Sequence, residues 1–128
     1  MTYTFPVSHH TQAQLDKLQA APKQATLLKL GYRRNLPDAV VYGSVHCCGI
    51  GFRPLFIEEG IAQYLIFTCH LRAQTDIGSL LRITLHWWQL NAGVSYSLLE
   101  VPDPVLSYLA WDWFTCFRAF LHAISGSL

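Results

Sequence analysis

The sequence predicts a mainly α-helical protein with four or five helices and one short β-hairpin or tight turn. Apolar residues recur at three- and four-residue intervals along several segments, which is typical of amphipathic helices. Threonine or aspartate precedes several of these segments and glycine follows them, as at helix termini. Residues 43–51 contain three glycines and are too short for a stable helix, which predicts the turn. The length suits a single helical domain, predicted over residues 11–128 behind a disordered lead at 1–10.

The first helix is predicted behind Thr11, because threonine caps helix N-termini by accepting a backbone hydrogen bond. Pro22 is expected to break or restart this helix, since proline lacks an amide hydrogen and its ring clashes with the preceding turn. Gly31 is expected to end it in the left-handed conformation. Residues 32–37 predict a loop, and residues 37–41 leave open a short helix or a strand. The apolar positions predicted to be buried are Leu15, Leu18, Ala25, Leu27, Leu28 and Leu30.

The central helix is predicted to begin at Pro54, whose fixed φ and missing donor suit the first helical position. A third long helix is predicted to begin at Thr75 or Asp76 and to end at Gly93. The predicted apolar face of the central helix contains Leu55, Ile57, Ile61, Tyr64, Leu65, Thr68 and Leu71. That of the third helix contains Ile77, Leu80, Leu81, Thr84, Leu85, Trp88 and Leu90.

The last helix is predicted to begin at Pro104 or Val105 and to end at Gly126. An extended connection over residues 94–104 precedes it, because this stretch contains two prolines among alternating apolar residues. The predicted buried side of the last helix contains Leu106, Leu109, Trp113, Phe117, Phe120, Leu121 and Ile124.

Apolar residues are in excess for so short a chain. Hydrophobic residues make up 52% of the sequence and charged residues only 13%, although a domain of this size exposes much of its surface. Trp87 and Trp88 cannot point the same way along a helix, so one of them is expected on a rim or in an interface. The sequence therefore predicts a surface that packs on another protein or on a second copy of the chain.

Basic residues are concentrated near the N-terminus, although the net charge is only +1. The first 34 residues contain five basic side chains and a single acid, Asp16, whereas the remainder contains four basic and seven acidic side chains. Clustered cations with an aromatic ring between them are suited to grip a phosphate backbone and stack one base. The alternative is that they are solvated charges near a helix end. The candidate nucleic-acid-binding residues are Lys23, Lys29, Tyr32, Arg33 and Arg34.

The acidic residues predict no catalytic centre. A polymerase needs paired carboxylates that hold two metal ions. The one adjacent acidic pair, Glu58 and Glu59, is predicted on a helix, where neighbours point about 100° apart. The chain is therefore expected not to be an enzyme and to need no cofactor.

Histidine and cysteine residues leave a small zinc-binding protein as a third alternative. The spacing of these residues differs from that of known structural zinc sites, in which each of two sequence segments supplies a pair of ligands two to four residues apart. Otherwise the four cysteines are expected to be small hydrophobic side chains in a reduced protein. The zinc alternative would use His46, Cys48, Cys69 and His70.

No membrane span is expected, because polar residues interrupt the longest uncharged run, residues 83–99. The sequence also predicts no secretory leader and no secreted disulfide framework. The expected compartment is therefore reducing and intracellular, in the cytoplasm or the nucleus.

Several short motifs follow one another along the chain. Leu-Gly-Tyr occupies residues 30–32, a glycine corner occupies 48–51, and Glu-Glu-Gly-Ile-Ala-Gln occupies 58–63. A tryptophan-led segment then ends in Arg-x-Phe-Leu at 118–121. In order and spacing, residues 15–121 resemble the segment that follows the polymerase domain in reverse transcriptases of non-LTR retroelements.

The resemblance implies a thumb-like region that lacks the catalytic core. It also implies packing on the polymerase domain of a parent reverse transcriptase and contact of the basic group with RNA or DNA. Two residues depart from the family's pattern: Cys48 stands in place of the first corner glycine, and Glu59 in place of a glutamine. The expected function is that of a non-catalytic fragment that contributes to template-primer binding, with a helical protein-interaction module or homodimer as the alternative.

Overall fold

The computed structural model describes residues 7–99 and 112–125, and this part of the chain is mainly α-helical, as predicted. It contains no β-strand, and the glycine-rich residues form a tight 3-10 turn rather than a hairpin. Residues 38–42, where the sequence left helix or strand open, are helical. The elements are α1 (Gln12–Lys29), α2 (Asp38–Tyr42), a 3-10 helix (Val45–Cys47), α3 (Leu55–Ala73), α4 (Asp76–Ala92) and α5 (Trp113–Ser125).

The chain forms two compact units. The N-terminal unit is His10–Glu58, and the C-terminal unit is Met1–His9 together with Glu59–Leu128. Of the predicted disordered lead, residues 1–6 lie outside the described residues. A single domain over residues 11–128 stays a prediction.

Both ends of α1 follow from local chemistry, as predicted. Thr11 and Gln14 form a capping box, in which each side chain accepts a hydrogen bond from the other residue's backbone amide. At the other end Gly31 has a φ of +78°. The amides of Gly31 and Tyr32 donate to carbonyls of the last helical turn, at 3.1 and 2.9 Å. This Schellman motif stops the helix and redirects the chain.

The predicted break at Pro22 is wrong, because α1 continues through this residue. Pro22 is exposed, so water can hydrate the carbonyl that lacks a partner in the preceding turn. The Thr26 hydroxyl also donates to the Pro22 carbonyl at 2.8 Å. Of the apolar positions predicted to be buried on α1, Leu15 and Leu27 are buried, whereas Leu18, Ala25, Leu28 and Leu30 are exposed.

A buried glutamine connects α1 to the start of α3 within the N-terminal unit. Gln19 is 3% exposed. Its amide nitrogen donates to the Arg53 carbonyl, and its amide oxygen accepts from the Leu55 amide, both at 3.0 Å. Because Leu55 opens α3, its amide has no partner inside the helix. Gln19 therefore caps α3 from a neighbouring helix.

The glycine corner packs against the end of α2. The amides of residues 50–52 donate to carbonyls of Val40, Val41 and Gly43 at 2.9 to 3.0 Å. A Cβ atom on Gly49 would lie only 2.2 Å from the Gly43 carbonyl oxygen. The two backbone segments can approach this closely only because residue 49 has no side chain.

The C-terminal unit has an aromatic core built by α3, α4 and α5 with the segment after α4. The ring of Phe117 lies 5.0 Å from that of Phe67 and is stacked on Trp113 at 5.5 Å. Trp88 lies 5.8 Å from Phe114. Such contacts add to the free energy gained by burying the rings. The buried residues of this cluster are Phe67, Trp88, Leu98, Phe114 and Phe117.

The apolar face predicted for α3 is not the face that is buried, since none of its seven residues is fully buried. Ile61, Tyr64 and Leu65 are 40 to 54% exposed. The cause is a close approach at Gly60, where an added Cβ atom would lie 2.0 Å from the ring of Phe120. Helix α3 therefore packs against α5 through Gly60, its smallest residue, and not through its most apolar side. The residues of α3 that are buried are Glu59, Gly60, Gln63 and Phe67.

Capping defines the remaining helix ends. The Thr75 hydroxyl accepts from the Gly78 amide at 3.1 Å, and Gly93 ends α4 with a φ of +67°, both as predicted. The Asp112 carboxylate accepts amide hydrogens from the first turn of α5 at 2.9 and 3.0 Å. The predicted helix start at Pro104 or Val105 and the predicted end at Gly126 lie outside the described residues.

Candidate docking surface and cationic segment

One face of α4 carries large apolar side chains exposed to solvent. Leu80, Ile83, Trp87 and Leu90 follow one another at spacings of three, four and three residues, so they line one side of the helix. Their exposed fractions are 62, 64, 58 and 80%. Ile77 extends the row and is 49% exposed. We call these five residues the α4 stripe.

The opposite side of α4 faces the core. Trp88 is 3% exposed, and its ring meets that of Trp87 edge-on at 6.2 Å. The prediction that one of the two tryptophans lies on a rim is confirmed. Of the apolar face predicted for α4, Trp88 is buried and Leu81 and Leu85 are half-buried, whereas four residues are exposed: Ile77, Leu80, Thr84 and Leu90. Helix α4 is thus apolar on two sides, and only one of them is buried.

A polar edge runs beside the α4 stripe. Arg82 and His86 are exposed one turn apart, and the Arg82 guanidinium donates to the Leu71 carbonyl at 3.4 Å. Gln89 donates to the Tyr96 carbonyl at 2.9 Å. A pocket of about 360 Å³ opens along this edge. Its lining combines Arg82, His86, Gln89 and Ser97 with the apolar Leu71 and Leu85.

The Schellman motif at the end of α1 presents most of the predicted nucleic-acid-binding residues to solvent. Lys29, Tyr32, Arg33 and Arg34 are all exposed, and we call them the cationic segment. Residues 31–36 line a pocket of about 660 Å³. Arg34 also borders a second pocket of the N-terminal unit that contains Asp16 and Asp38. The arginine side chains are therefore accessible, but the acids reduce the positive potential around Arg34.

Lys23, also predicted to bind nucleic acid, is engaged within the N-terminal unit. Its ammonium group forms a short hydrogen-bonded ion pair with Asp38 and lies 5.0 Å from the centre of the Tyr42 ring. The hydrogen bond that Lys23 donates to Asp38 raises the pKa of Lys23; burial opposes this effect, and Tyr42 and the charge of Asp38 add to it. Lys23 is set apart from the cationic segment by these contacts.

The two adjacent acids have separate partners. Arg53 donates to the Glu58 carboxylate at 3.0 Å. Glu59 is 1% exposed and accepts from the Ser8 hydroxyl at 2.9 Å. Gln63, fully buried, donates to the Ser8 carbonyl at 3.0 Å. This buried polar group was not predicted from the sequence, although Glu59 and Gln63 are polar residues one helical turn apart beside Gly60.

The described residues contain no group of three histidine, cysteine or acidic side chains able to hold a metal ion. The zinc alternative with His46, Cys48, Cys69 and His70 is therefore unsupported in this part of the chain. Cys116 is buried as expected of a small hydrophobic side chain, whereas Cys47, Cys48 and Cys69 are exposed. Within residues 7–99 and 112–125, none of the helices has both the length and the apolar character needed to cross a membrane.

No protein-family model, curated protein or solved structure matches the chain. The resemblance to the reverse transcriptase segment therefore rests on the motifs of the sequence alone.

Proposed function

We propose that the chain is a non-catalytic helical docking module that packs against another protein through the α4 stripe. The observation that carries the proposal is the exposure of four large apolar side chains, Leu80, Ile83, Trp87 and Leu90, along a single helix face. Contiguous apolar surface of this kind is uncommon on monomeric proteins and marks interaction sites. A tryptophan near the middle of the row adds a ring that is enriched among the strongest interface contacts.

The partner suggested by the sequence motifs is the polymerase domain of a non-LTR retroelement reverse transcriptase. Two structural features support this proposal. Cys48 has a φ of +60°, a conformation that glycine adopts without strain, and the resembled family has glycine at this position. Gly60 and Gln63, which belong to the helical motif at 58–63, are both buried and contact other parts of the C-terminal unit.

A dye that fluoresces on apolar surfaces tests the docking surface directly. In an Ile83→Lys, Trp87→Lys double variant, we expect dye fluorescence to fall by about half or more. The free energy of unfolding should change by no more than about 0.5 kcal/mol, because both side chains are exposed.

A Thr84→Lys, Asn91→Lys double variant is the matched control, since it adds two lysines to exposed positions of the same helix outside both the stripe and the polar edge. It should keep the dye signal. If the Ile83→Lys, Trp87→Lys variant instead unfolds as readily as a core variant, the stripe is part of the fold and the proposal fails.

A second candidate function is contact with RNA or DNA through the cationic segment. The supporting observation is that Lys29, Arg33 and Arg34 are exposed beside an exposed tyrosine ring. Binding would then depend on salt, because each neutralised phosphate releases counterions. We expect an Arg33→Ala, Arg34→Ala variant to reduce the slope of log affinity against log salt by about 1.5, corresponding to two lost phosphate contacts.

Lys23→Met is the matched control for this experiment, because Lys23 is already paired with Asp38. It should leave the salt dependence unchanged. Association that does not depend on salt, or an equal loss in the Lys23→Met variant, would exclude the cationic segment as a nucleic-acid site.

A further inference from the structure

After its first residue, Asp76, helix α4 has no acidic side chain beside the stripe. Between Ile77 and Ala92 the helix contains no aspartate or glutamate, and its only side chains able to carry charge are Arg82 and His86. His86 adjoins Ile83 and Leu90 at spacings of three and four residues, and Arg82 lies one turn before His86 on the same side of the stripe. The other edge of the stripe is exposed but uncharged at Thr84 and Asn91. A partner on the stripe therefore meets cationic or hydrogen-bond-donating groups along one side.

A second copy of the chain matches this surface poorly. In a two-fold contact the same patch faces itself, so Arg82 and His86 of both copies enter one interface. Helix α4 supplies no carboxylate to oppose them there, since its only acid, Asp76, is at the first turn. Like charges across an interface disfavour the complex.

The pocket along the polar edge fits an acidic side chain. Arg82 and His86 stand on its rim, and Leu71 and Leu85 line it with apolar surface. The Leu71 carbonyl takes one of the five guanidinium N–H groups of Arg82. A carboxylate could accept from the others while its methylene groups lie against the two leucines, as in charge-assisted pairs.

We infer that the partner of the α4 stripe is an amphipathic helix with acidic residues flanking its apolar face. This inference rests on the proposed docking function and adds the chemistry of the partner. The row of apolar residues at spacings of three and four receives the apolar face of the incoming helix. Arg82 and His86 select the flanking glutamates or aspartates and reject lysines, because complementary charge provides specificity at such rims.

Two synthetic peptides of about three heptads test the inference. They share leucines at the apolar positions, and the flanking positions are all glutamate in one peptide and all lysine in the other. Fluorescence anisotropy of the labelled peptides is measured against the full chain. At low salt we expect the glutamate peptide to bind about three- to tenfold more tightly, the effect of one or two partly exposed ion pairs. The difference should shrink as added salt screens the charges.

Arg82→Glu should reverse this preference, whereas Lys17→Glu, which changes the net charge equally, should keep it. An Ile83→Lys, Trp87→Lys variant should bind neither peptide. Equal binding of the two peptides to the wild-type chain would overturn the acidic partner and leave the docking function intact. A dimer that light scattering detects for the wild type and not for the Ile83→Lys, Trp87→Lys variant would likewise overturn the acidic partner and leave the docking function intact. If neither peptide binds, the acidic partner and the docking function both fail.

Discussion

Each of the two units is stabilised by a different kind of internal contact. In the C-terminal unit, five buried residues, four of them aromatic, form a continuous cluster across three helices. In the N-terminal unit the buried positions are Leu15, Gln19, Leu27 and Val41, one of them polar. That unit relies on side-chain bonds from Gln19 and Lys23 and on a backbone approach at Gly49.

The difference shows which substitutions each unit can tolerate. Removal of an aromatic ring from the C-terminal unit leaves a cavity, and the loss in the free energy of unfolding increases with the volume of that cavity. In the N-terminal unit few apolar contacts are available to lose. There, the sensitive positions are those where a polar group would be left unpaired or where backbone atoms touch.

The largest effect is expected from Phe117→Ala. This side chain is 1% exposed and contacts two other aromatic rings. We expect the free energy of unfolding to fall by about 3 to 5 kcal/mol, measured by urea denaturation. Trp87→Ala removes a larger but exposed ring and should cost no more than about 0.5 kcal/mol. Similar costs for both variants would contradict the assignment of core and surface.

Gly49→Ala tests the close backbone contact in the N-terminal unit. The new methyl group would overlap the Gly43 carbonyl oxygen, so the corner must open. We expect a cost of about 3 kcal/mol, at the upper end of overpacking effects. Faster amide hydrogen exchange should appear at residues 50–52.

Gly31→Ala provides the comparison, since the space around Gly31 is open and only its positive φ disfavours alanine. It should cost about 1 to 2 kcal/mol. A Gly49→Ala variant as stable as the wild type would show that the backbone contact is absent.

Gln19→Ala tests the buried polar bridge. It removes the acceptor of the Leu55 amide and the donor to the Arg53 carbonyl. We expect a loss of about 1 to 3 kcal/mol, because part-buried polar groups lose their partners. The Leu55 amide should exchange faster. Gln24→Ala, on the exposed side of the same helix, should change stability by less than about 0.5 kcal/mol.

Lys23→Met should have a smaller effect that depends on pH. Because Asp38 raises the pKa of Lys23 in the folded state, the pair stabilises the fold below the ordinary lysine pKa. This contribution is lost as the pH rises through the raised pKa. At neutral pH the free energy of unfolding of the wild type should exceed that of Lys23→Met by about 0.2 to 1 kcal/mol. The difference is small because Asp38 is mostly exposed and water weakens the ion pair.

The difference should disappear at alkaline pH, once the pH exceeds the raised pKa of Lys23 in the folded state. Urea denaturation at several pH values measures it. Lys17→Met, an exposed position on the same helix, should show no such dependence. A constant difference across this range would mean that packing, rather than charge, accounts for the effect.

The smallest effect is expected from Cys48→Gly, and it should be stabilising. Glycine relieves the strain of the positive φ but adds disorder to the unfolded chain, so the net gain should be no more than about 1 kcal/mol. Cys47→Gly, within the 3-10 helix, should instead destabilise the protein. If Cys48→Gly and Cys47→Gly both destabilise the protein, the backbone at Cys48 is not strained.

Features that depend on neighbouring residues in the sequence were predicted well. The caps at Thr11 and Thr75 and the glycine ends at Gly31 and Gly93 all follow from hydrogen bonds within about five residues. The cationic segment directly follows a helix end, and its contact with nucleic acid stays a prediction. The break at Pro22 was predicted wrongly, since its cost depends on whether the residue is exposed.

Features that depend on distant residues were not predicted. Lys23 lies 15 residues from Asp38, and nothing in the local pattern indicates their ion pair. The bridge from Gln19 spans 34 to 36 residues. Residue Glu59 interacts with Ser8, 51 positions away. Periodicity reports which residues share a helix face, but not which groups meet across elements.

Local sequence is enough to establish that the chain is helical, where most of its helices begin and end, and that it carries more apolar residues than one core requires. These properties arise from propensities and caps that act within one or two turns. Which apolar face is buried depends instead on how the helices pack. On α3 the close contact of Gly60 with Phe120 selects a face containing Glu59 and Gln63. On α4 the packing of Trp88 leaves the stripe with Trp87 in solvent, because a helix that is apolar on two sides can turn only one of them toward the core.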